Sequence, residues 1–238
     1  MTMAEGDTRV TRLLERLESA NASVRLNAAL GAGTAPDPRF VDGLVERCAH
    51  ESDFFVREML TWALTRHPAY LTVPRLVGEL RSERARARSQ ALHTLSKIGD
   101  RRAWPAITPA LLADADDEVA RAAWRTAVGL VPAGGEPELA GALAGQLGRG
   151  GRDTQLSLSR ALNALGEAGE PALRGAETDA DPRVREHALA TQRLARDPEA
   201  GFEEAVEEAK RVVALGPYDA GTADGGTADG GTADGADR

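Results

Sequence analysis

Cysteine, lysine and aromatic residues are scarce in this sequence of 238 residues, and no long apolar run interrupts it. A single cysteine, Cys48, excludes an intrachain disulfide and a cysteine-based zinc cluster, and it fits a reducing compartment. Aromatic residues make up only 4% of the chain, which favours closely packed helices over sheets. The N-terminal residues have no apolar core of signal-peptide length, and nothing approaches a membrane span. We therefore predict a cytoplasmic protein.

Acidic charge is concentrated at the C-terminus. The formal net charge is −8, and residues 217–238 contribute half of it through five aspartates against one arginine. The remaining excess is too mild to dictate a partner. Residues 221–235 are three tandem copies of Gly-Thr-Ala-Asp-Gly. Because such a segment has little apolar surface to bury, we predict that 217–238 is disordered. It is either a passive tail or a binding or localising element.

One pattern recurs six times along the chain, with a period of roughly 32 residues. Small or apolar residues follow each repeat origin at offset four and most origins at offsets seven and eight, and these offsets lie on one face of an α-helix. Alanine is frequent at offset four, where it allows another helix to approach closely. The six origins are Val24, Val56, Ala87, Val119, Ser157 and Val184.

A second helical pattern precedes each origin, so each repeat is predicted to be a pair of helices. Prolines stand near the starts of most of these first helices, where a missing amide is harmless. Pro109 falls inside the fourth one and should kink it. Phe54 and Phe55 are expected to pack where the loop before the second helix of repeat two turns in. The predicted N-caps of the second helices are Ser23, Asp53, Asp116, Asp153 and Asp181.

The segments "DADDEVARAAW" and "DADPRVREHAL", which open two of the second helices, resemble HEAT repeats. The resemblance covers residues 10–196 and is greatest to the short bacterial type that is also found in phycobilisome lyases. It implies an all-α, right-handed α-solenoid whose second helices line a concave face that binds proteins. The predicted repeats are 10–33, 38–67, 73–100, 103–130, 137–168 and 170–196, and a capping helix at 198–215 completes a domain that spans 1–216.

Enzymatic chemistry of the kinds found on helical repeats needs residues that this chain has in small numbers. Di-iron hydroxylases built on such repeats use several His-Glu pairs, whereas His50-Glu51 is the one pair in that order. Signatures of Ser/His/Asp nucleophiles, phosphate-binding glycine loops and metal-ligand spacings are absent from the sequence. We therefore predict no catalytic residue, no cofactor, no metal and no enzymatic activity.

Two alternatives remain beside a scaffold or adaptor that binds a protein. The first is a nucleic-acid-binding solenoid similar to the alkylpurine DNA glycosylases, which would require Trp62, Arg88 and Arg125 to converge on one basic cleft. The acidic body makes nucleic acid the weaker choice. The second is a subunit resembling a bilin lyase, for which the sequence has no chromophore-handling motif. The basic stretch from Arg75 to Arg102 is either a solvated turn or a surface for an acidic protein partner.

A candidate partner-binding strip is predicted from helical geometry. Offsets three and six from each origin point away from the core positions at zero, four and eight. Tryptophan and arginine are enriched at binding hot spots, and methionine adapts to irregular surfaces. No membrane contact is predicted. The predicted partner-binding residues are Met59, Trp62, Gln90, His93, Arg125, Arg160 and Asn163.

Overall fold

The computed structural model describes residues 3–197 and 201–215. Within those two ranges the chain is all-helical and contains no β-strand. Two 3-10 helices, Arg101–Ala106 and Gly166–Ala168, precede α7 and α11. The α-helices are α1 (Met3–Leu17), α2 (Ala22–Thr34), α3 (Phe40–His50), α4 (Phe54–Arg66), α5 (Ala69–Glu79), α6 (Ala85–Ile98), α7 (Pro109–Leu112), α8 (Asp117–Leu130), α9 (Glu136–Ala144), α10 (Arg152–Ala164), α11 (Glu170–Ala176), α12 (Pro182–Arg196) and α13 (Phe202–Leu215).

Successive helix pairs stack on one another in chain order. The second helix of each pair contacts the second helix of the next pair, from α2 through α4, α6, α8 and α10 to α12. The first helices follow in a parallel row, in which α1 contacts α3, α3 contacts α5, and α7 contacts α9. Contacts of this nearest-neighbour kind define a helical solenoid. The predicted fold class, an all-α solenoid of HEAT-like helix pairs, is confirmed.

Asparagine and aspartate side chains begin most of the second helices. Asp53, Asp116 and Asp181 accept hydrogen bonds from amides in the first turns of α4, α8 and α12, as predicted. Two predicted caps are wrong. Asn21 caps α2 two residues before Ser23, and α10 begins at Arg152 after Gly151, so Asp153 lies inside its first turn.

The first helix of repeat four is divided by its prolines. A 3-10 helix runs from Arg101 to Ala106, Ile107 follows it, and α7 then starts at Pro109, where Thr108 caps it. The predicted kink is therefore a break, because proline removes the amide that a continuous helix would use and fits the first position of a new one. Leu111 and Leu112 of this short helix remain buried.

Alanine and leucine fill the seam between neighbouring second helices, and Ala28, Ala91 and Ala123 are at most 2% exposed. Trp124 is fully buried, and its indole N–H donates to the carbonyl of Leu112 at 2.8 Å. The expectation for Phe54 and Phe55 is wrong. Their side chains are 58% and 69% exposed, and they contact each other edge to face at the start of α4.

A buried carboxylate ties α2 to the end of α3. Glu51 is 0% exposed, and Arg25 donates to both of its oxygens at 2.7 Å. Arg47 Nε and the amide of Asp53 donate to the same carboxylate at 2.9 and 2.8 Å. Burial opposes ionisation, but these donors outweigh it and lower the pKa of Glu51 to about 2. Glu51 therefore stays charged inside the protein.

Gly33 permits the close approach of α2 and α4, since a Cβ at this position would lie 2.8 Å from Trp62 Cε3 and 2.9 Å from the Cα of Ala63. We expect Gly33→Ala to lower the free energy of unfolding by about 1–3 kcal/mol, because overpacking outweighs the gain in helix propensity. Urea denaturation measures the change. Gly141→Ala in α9 is the matched control, since its Cβ would meet nothing within 4 Å, and it should be neutral or stabilising. Equal effects of the two substitutions would contradict this account.

The last described helix, α13, packs against α12. Phe202, Ala205 and Ala209 of α13 are buried together with Ala190 of α12. Residues 198–200 of the predicted capping segment and the predicted disordered tail, 217–238, lie outside the described residues. In the part of the chain that is described, no helix is both long and apolar enough to cross a membrane.

Candidate partner-binding face

The predicted partner-binding residues lie on α4, α6, α8 and α10, the second helices of the four middle pairs. Trp62 is 38% exposed, Arg125 and Arg160 are also exposed, and Met59, His93 and Asn163 are half-buried. Gln90 is the one buried member of the set. We call the exposed side of the second helices the second-helix face.

Trp62 combines packing with exposure. One edge of its ring lies against the backbone of Gly33 on the preceding second helix, and the remainder faces solvent. Because one edge of the ring packs against Gly33, the Trp62 side chain has little rotational freedom. A large aromatic surface that is already ordered loses little entropy when it binds a partner.

Two predicted residues are occupied in linking helices to each other. Gln90 Nε2 donates to the hydroxyl of Thr61 at 2.9 Å, and Thr61 lies 3.4 Å from the hydroxyl of Thr94. Asn163 Nδ2 donates to the carbonyl of Thr191 at 3.1 Å. These amides connect α4 to α6 and α10 to α12, so less of each side chain is free to reach a partner.

The repeat origin in α10 lies three residues before the predicted one. Ser159 bonds to Thr191 at 2.7 Å and lies 3.1 Å from His187 Nε2, the same arrangement that Thr61 makes with Thr94 and Gln90. Aligning Ser159 with Thr61 moves the origin from Ser157 to Thr154, which is buried. The correction places Arg160 at offset six, in line with Trp62, His93 and Arg125, and moves Asn163 to offset nine.

A shallow depression of about 240 Å³ lies on the face between α4, α6 and α8. His93 Nε2 stands 3.5 Å from a carboxylate oxygen of Glu58. Burial lowers the pKa of His93, and the Glu58 charge opposes that shift. The residues that line the depression are Phe54, Glu58, Ser89, Gln90, His93, Glu118, Arg121, Ala122 and Arg125.

Sequence reasoning did not select Phe54, Glu58 and Arg121, although a signal for them existed. Glu58 and Arg121 stand at offset two and Phe54 at offset minus two, and these positions continue the row through offset six on the same side of a helix. Although Arg125 is exposed, partial desolvation of its guanidinium and the neighbouring charge of Arg121 lower its pKa. Neither arginine forms an ion pair within the described ranges.

In the basic stretch from Arg75 to Arg102, three of the eight basic residues pair with carboxylates. Arg75 pairs with Asp42 at 2.6 Å, and Arg102 pairs with Asp100 at 2.5 Å. Arg88 forms a two-pronged pair with Asp114, with both distances at 2.9 Å. Arg88 lines a different cleft, beside Leu80 and Leu111, so it does not converge with Trp62 and Arg125 as the nucleic-acid alternative requires.

The His50-Glu51 pair is divided between two environments. The His50 ring lies at the surface and contacts Arg84, whereas Glu51 is buried against Arg25. Among the described residues, no group of three or more histidine, cysteine, aspartate or glutamate side chains is placed to hold a metal ion.

The fold is an all-α solenoid of stacked helix pairs. No protein-family model and no curated protein sequence matches the chain. Solved structures of similar fold include human deoxyhypusine hydroxylase in complex with glycerol, with 19% identity and a TM-score of 0.45 over 88% of this chain and 97% of that one. They also include the complex of CpcE and CpcF of phycocyanin lyase from Nostoc sp. PCC7120, with 18% identity and a TM-score of 0.36 over 85% of this chain and 93% of that one.

These structures correct one prediction. The prediction that the chain has no enzymatic activity, which was drawn from its few candidate catalytic residues, is contradicted, since one protein of similar fold is named a hydroxylase and the other belongs to a lyase. At such low identity the likeness concerns the fold alone and assigns no activity to this chain.

Proposed function

We propose that the protein is a scaffold or adaptor that holds a protein partner on its second-helix face, the side that is concave in HEAT repeats. The observation that carries this proposal is the row of exposed side chains at offset six, Trp62, Arg125 and Arg160, with the half-buried His93 between them. One large aromatic group and two arginines stand on three of the four middle second helices, α4, α8 and α10. These residue types dominate the energetics of protein interfaces.

The chemistry of the face supports a macromolecular partner. Its depression is shallow and mixed in polarity, since both Phe54 and Arg125 line it, whereas small-molecule sites are usually deep and mostly apolar. The helices beneath it are joined by buried hydrogen bonds, such as that from the Thr126 hydroxyl to the Leu92 carbonyl at 2.9 Å. A partner would therefore bind a preformed surface.

Truncating the two anchors tests the proposal. We expect Trp62→Ala and Arg125→Ala each to weaken partner binding by more than about 1 kcal/mol. The tagged full chain is used to capture partners from a native lysate, and captured proteins are quantified for wild type and for each variant. Circular dichroism and thermal unfolding establish that the variants are folded. Arg125, which forms no ion pair within the described ranges, carries the test if Trp62→Ala is destabilised.

Matched controls lie away from the face. Tyr70 on α5 is 65% exposed, and Arg101 is exposed with no ion pair in the described part of the chain. Tyr70→Ala and Arg101→Ala should leave capture unchanged. If folded Trp62→Ala and Arg125→Ala variants capture the same proteins in the same amounts as wild type, the second-helix face is not the binding surface.

A further inference from the structure

Part of the second-helix face carries no carboxylate. At offsets six, nine and ten from the origins, with Thr154 as the fifth origin, none of the eighteen residues on the six second helices is aspartate or glutamate. We call these positions the basic stripe. Its basic residues, apart from the half-buried His93, are Arg66, Lys97, Arg125, Arg160 and Arg193. The protein as a whole has 37 acidic and 29 basic residues, so the positive charge of this stripe is opposite in sign to the net charge of the chain.

Helix polarity does not account for the centre of the stripe. Cations are favoured in the last turn of a helix by its dipole, and Arg66 and Lys97 occupy such positions. Arg125 and Arg160 stand earlier in α8 and α10, neither of which has a basic residue in its last turn. Within the described ranges, the side chains of Arg66, Lys97, Arg125 and Arg160 form neither an ion pair nor a hydrogen bond.

The stripe is covered at its C-terminal end, and an acidic helix covers it. Ala190, at offset six of α12, is 0% exposed because Phe202, Ala205 and Ala209 of α13 lie over it. Arg193, at offset nine, faces Glu204 at 3.8 Å and Glu208 at 4.0 Å.

The same helix also reaches α10. Glu203 pairs with Arg152 at 3.0 Å, and Leu156, at offset two, packs against the apolar side of α13. An amphipathic helix with an acidic flank therefore occupies the second-helix face of the last two repeats. Its aromatic anchor, Phe202, stands edge to face with His187 at 6.3 Å between ring centroids.

We infer that the uncovered part of the basic stripe, from Trp62 to Arg160, binds an acidic amphipathic helix of a protein partner, as the covered part binds α13. This inference rests on the proposed function and specifies the chemistry of its partner. Apolar side chains of the partner lie against Trp62 and Met59, and its carboxylates face Lys97, Arg125 and Arg160. Neighbouring helices pack about 8–10 Å apart, so the stripe from α4 to α10 spans roughly 30 Å, the length of a helix of about 20 residues.

A peptide with the sequence of α13, residues 202–215, is the probe. It is labelled with fluorescein and held helical by a side-chain staple, and its binding to the full chain is followed by fluorescence anisotropy. We expect saturable binding that weakens as salt rises. The variant that carries both Arg125→Gln and Arg160→Gln should bind at least tenfold more weakly. A peptide in which all four glutamates are replaced by glutamine should lose at least the same factor.

Two further variants separate the stripe from other binding modes. The Arg81→Gln and Arg101→Gln pair removes two exposed arginines that lie off the stripe, and it should bind as wild type does. The Arg152→Gln and Arg193→Gln pair weakens the site that α13 itself occupies. If this pair alone abolishes binding, the peptide merely exchanges with α13 and the inference is overturned. Absence of binding, or equal binding of the glutamine peptide, also overturns it.

A short duplex DNA, labelled in the same way, tests whether the basic stripe binds nucleic acid instead of an acidic helix. If the duplex binds through Arg125 and Arg160 and the peptide does not, the stripe binds nucleic acid and the inference is overturned. The inference and the proposed function fail separately. If capture of partner proteins depends on Trp62 and Arg125 but the acidic peptide does not bind, the second-helix face remains the proposed binding surface and the acidic helix is rejected as its partner. Capture that is unaffected by either anchor rejects both.

Discussion

Glu51→Gln should lower the free energy of unfolding at pH 7 by about 3–5 kcal/mol, because removing one partner of a buried ion pair leaves the other charge uncompensated. Arg25, the group left behind, is only 6% exposed and makes two bonds to the carboxylate. A neutral amide cannot supply the second negative oxygen that Arg25 and Arg47 share. Urea denaturation monitored by far-UV circular dichroism measures the loss.

The matched control is Glu46→Gln on the same helix. Glu46 is exposed and its side chain forms no ion pair within the described ranges, so this change should stay within about 0.5 kcal/mol. The double variant Arg25→Gln with Glu51→Gln should lose less than the sum of its single variants, since no buried charge remains unpaired. Additive losses, or a Glu51→Gln effect as small as that of Glu46→Gln, would show that the pair does not stabilise the solenoid.

The fold was predictable because its information is local. Each second helix carries alanine and leucine at a spacing that only an α-helix places on one face. Six copies in register can bury these faces by stacking on one another. The same geometry predicted that side chains at offset six point away from that buried face, and Trp62 and Arg125 are indeed exposed on α4 and α8.

What the sequence did not reveal depends on contacts between distant segments. The true origin in α10 is Thr154, a polar residue that is buried because it bonds to Asp117 of the preceding second helix at 3.1 Å. Ser157 shows an equally good pattern in the sequence alone. The packing of α13 over Ala190 was not predicted for a similar reason. The amphipathic pattern of α13 shows that one of its sides is buried, but it does not show which surface of the solenoid that side covers.

Buried polar residues were the other omission, and Gln90 and His187 illustrate it. Both stand at offset three, where a side chain appears to point outward, yet each is buried against a hydroxyl of the preceding second helix. Offset alone cannot distinguish an outward side chain from one that a neighbouring helix covers. The hydroxyl partner, 28 or 29 residues earlier, becomes recognisable only when the helices are stacked.

His187 should make the protein lose stability in mild acid. Its ring is 2% exposed, Nδ1 accepts from the amide of Gly148 at 3.0 Å, and Nε2 lies 3.0 Å from the carbonyl of Gln155. Burial lowers the pKa of His187 from 6.5 to about 4, against the opposing hydrogen bond to Gln155. Below pH 6.5 the His187 side chain is protonated in the unfolded chain but stays neutral in the folded protein. Stability is therefore lost as the pH falls from 6.5 to about 4, by roughly 3 kcal/mol.

Replacing His187 with glutamine isolates this contribution, because Gln90 shows that an amide fits the equivalent position of repeat three. Urea denaturation of wild type and His187→Gln at pH 7.5, 6, 5 and 4 should give curves that diverge below pH 6.5, with the variant losing about 3 kcal/mol less by pH 4. The converse variant, Gln90→His, should acquire an additional acid-sensitive loss, since it places an imidazole in the same buried setting. If the free energies of unfolding of wild type and His187→Gln change with pH in parallel, acid destabilises the solenoid through other groups. His187 would then take up its proton without unfolding the C-terminal repeats.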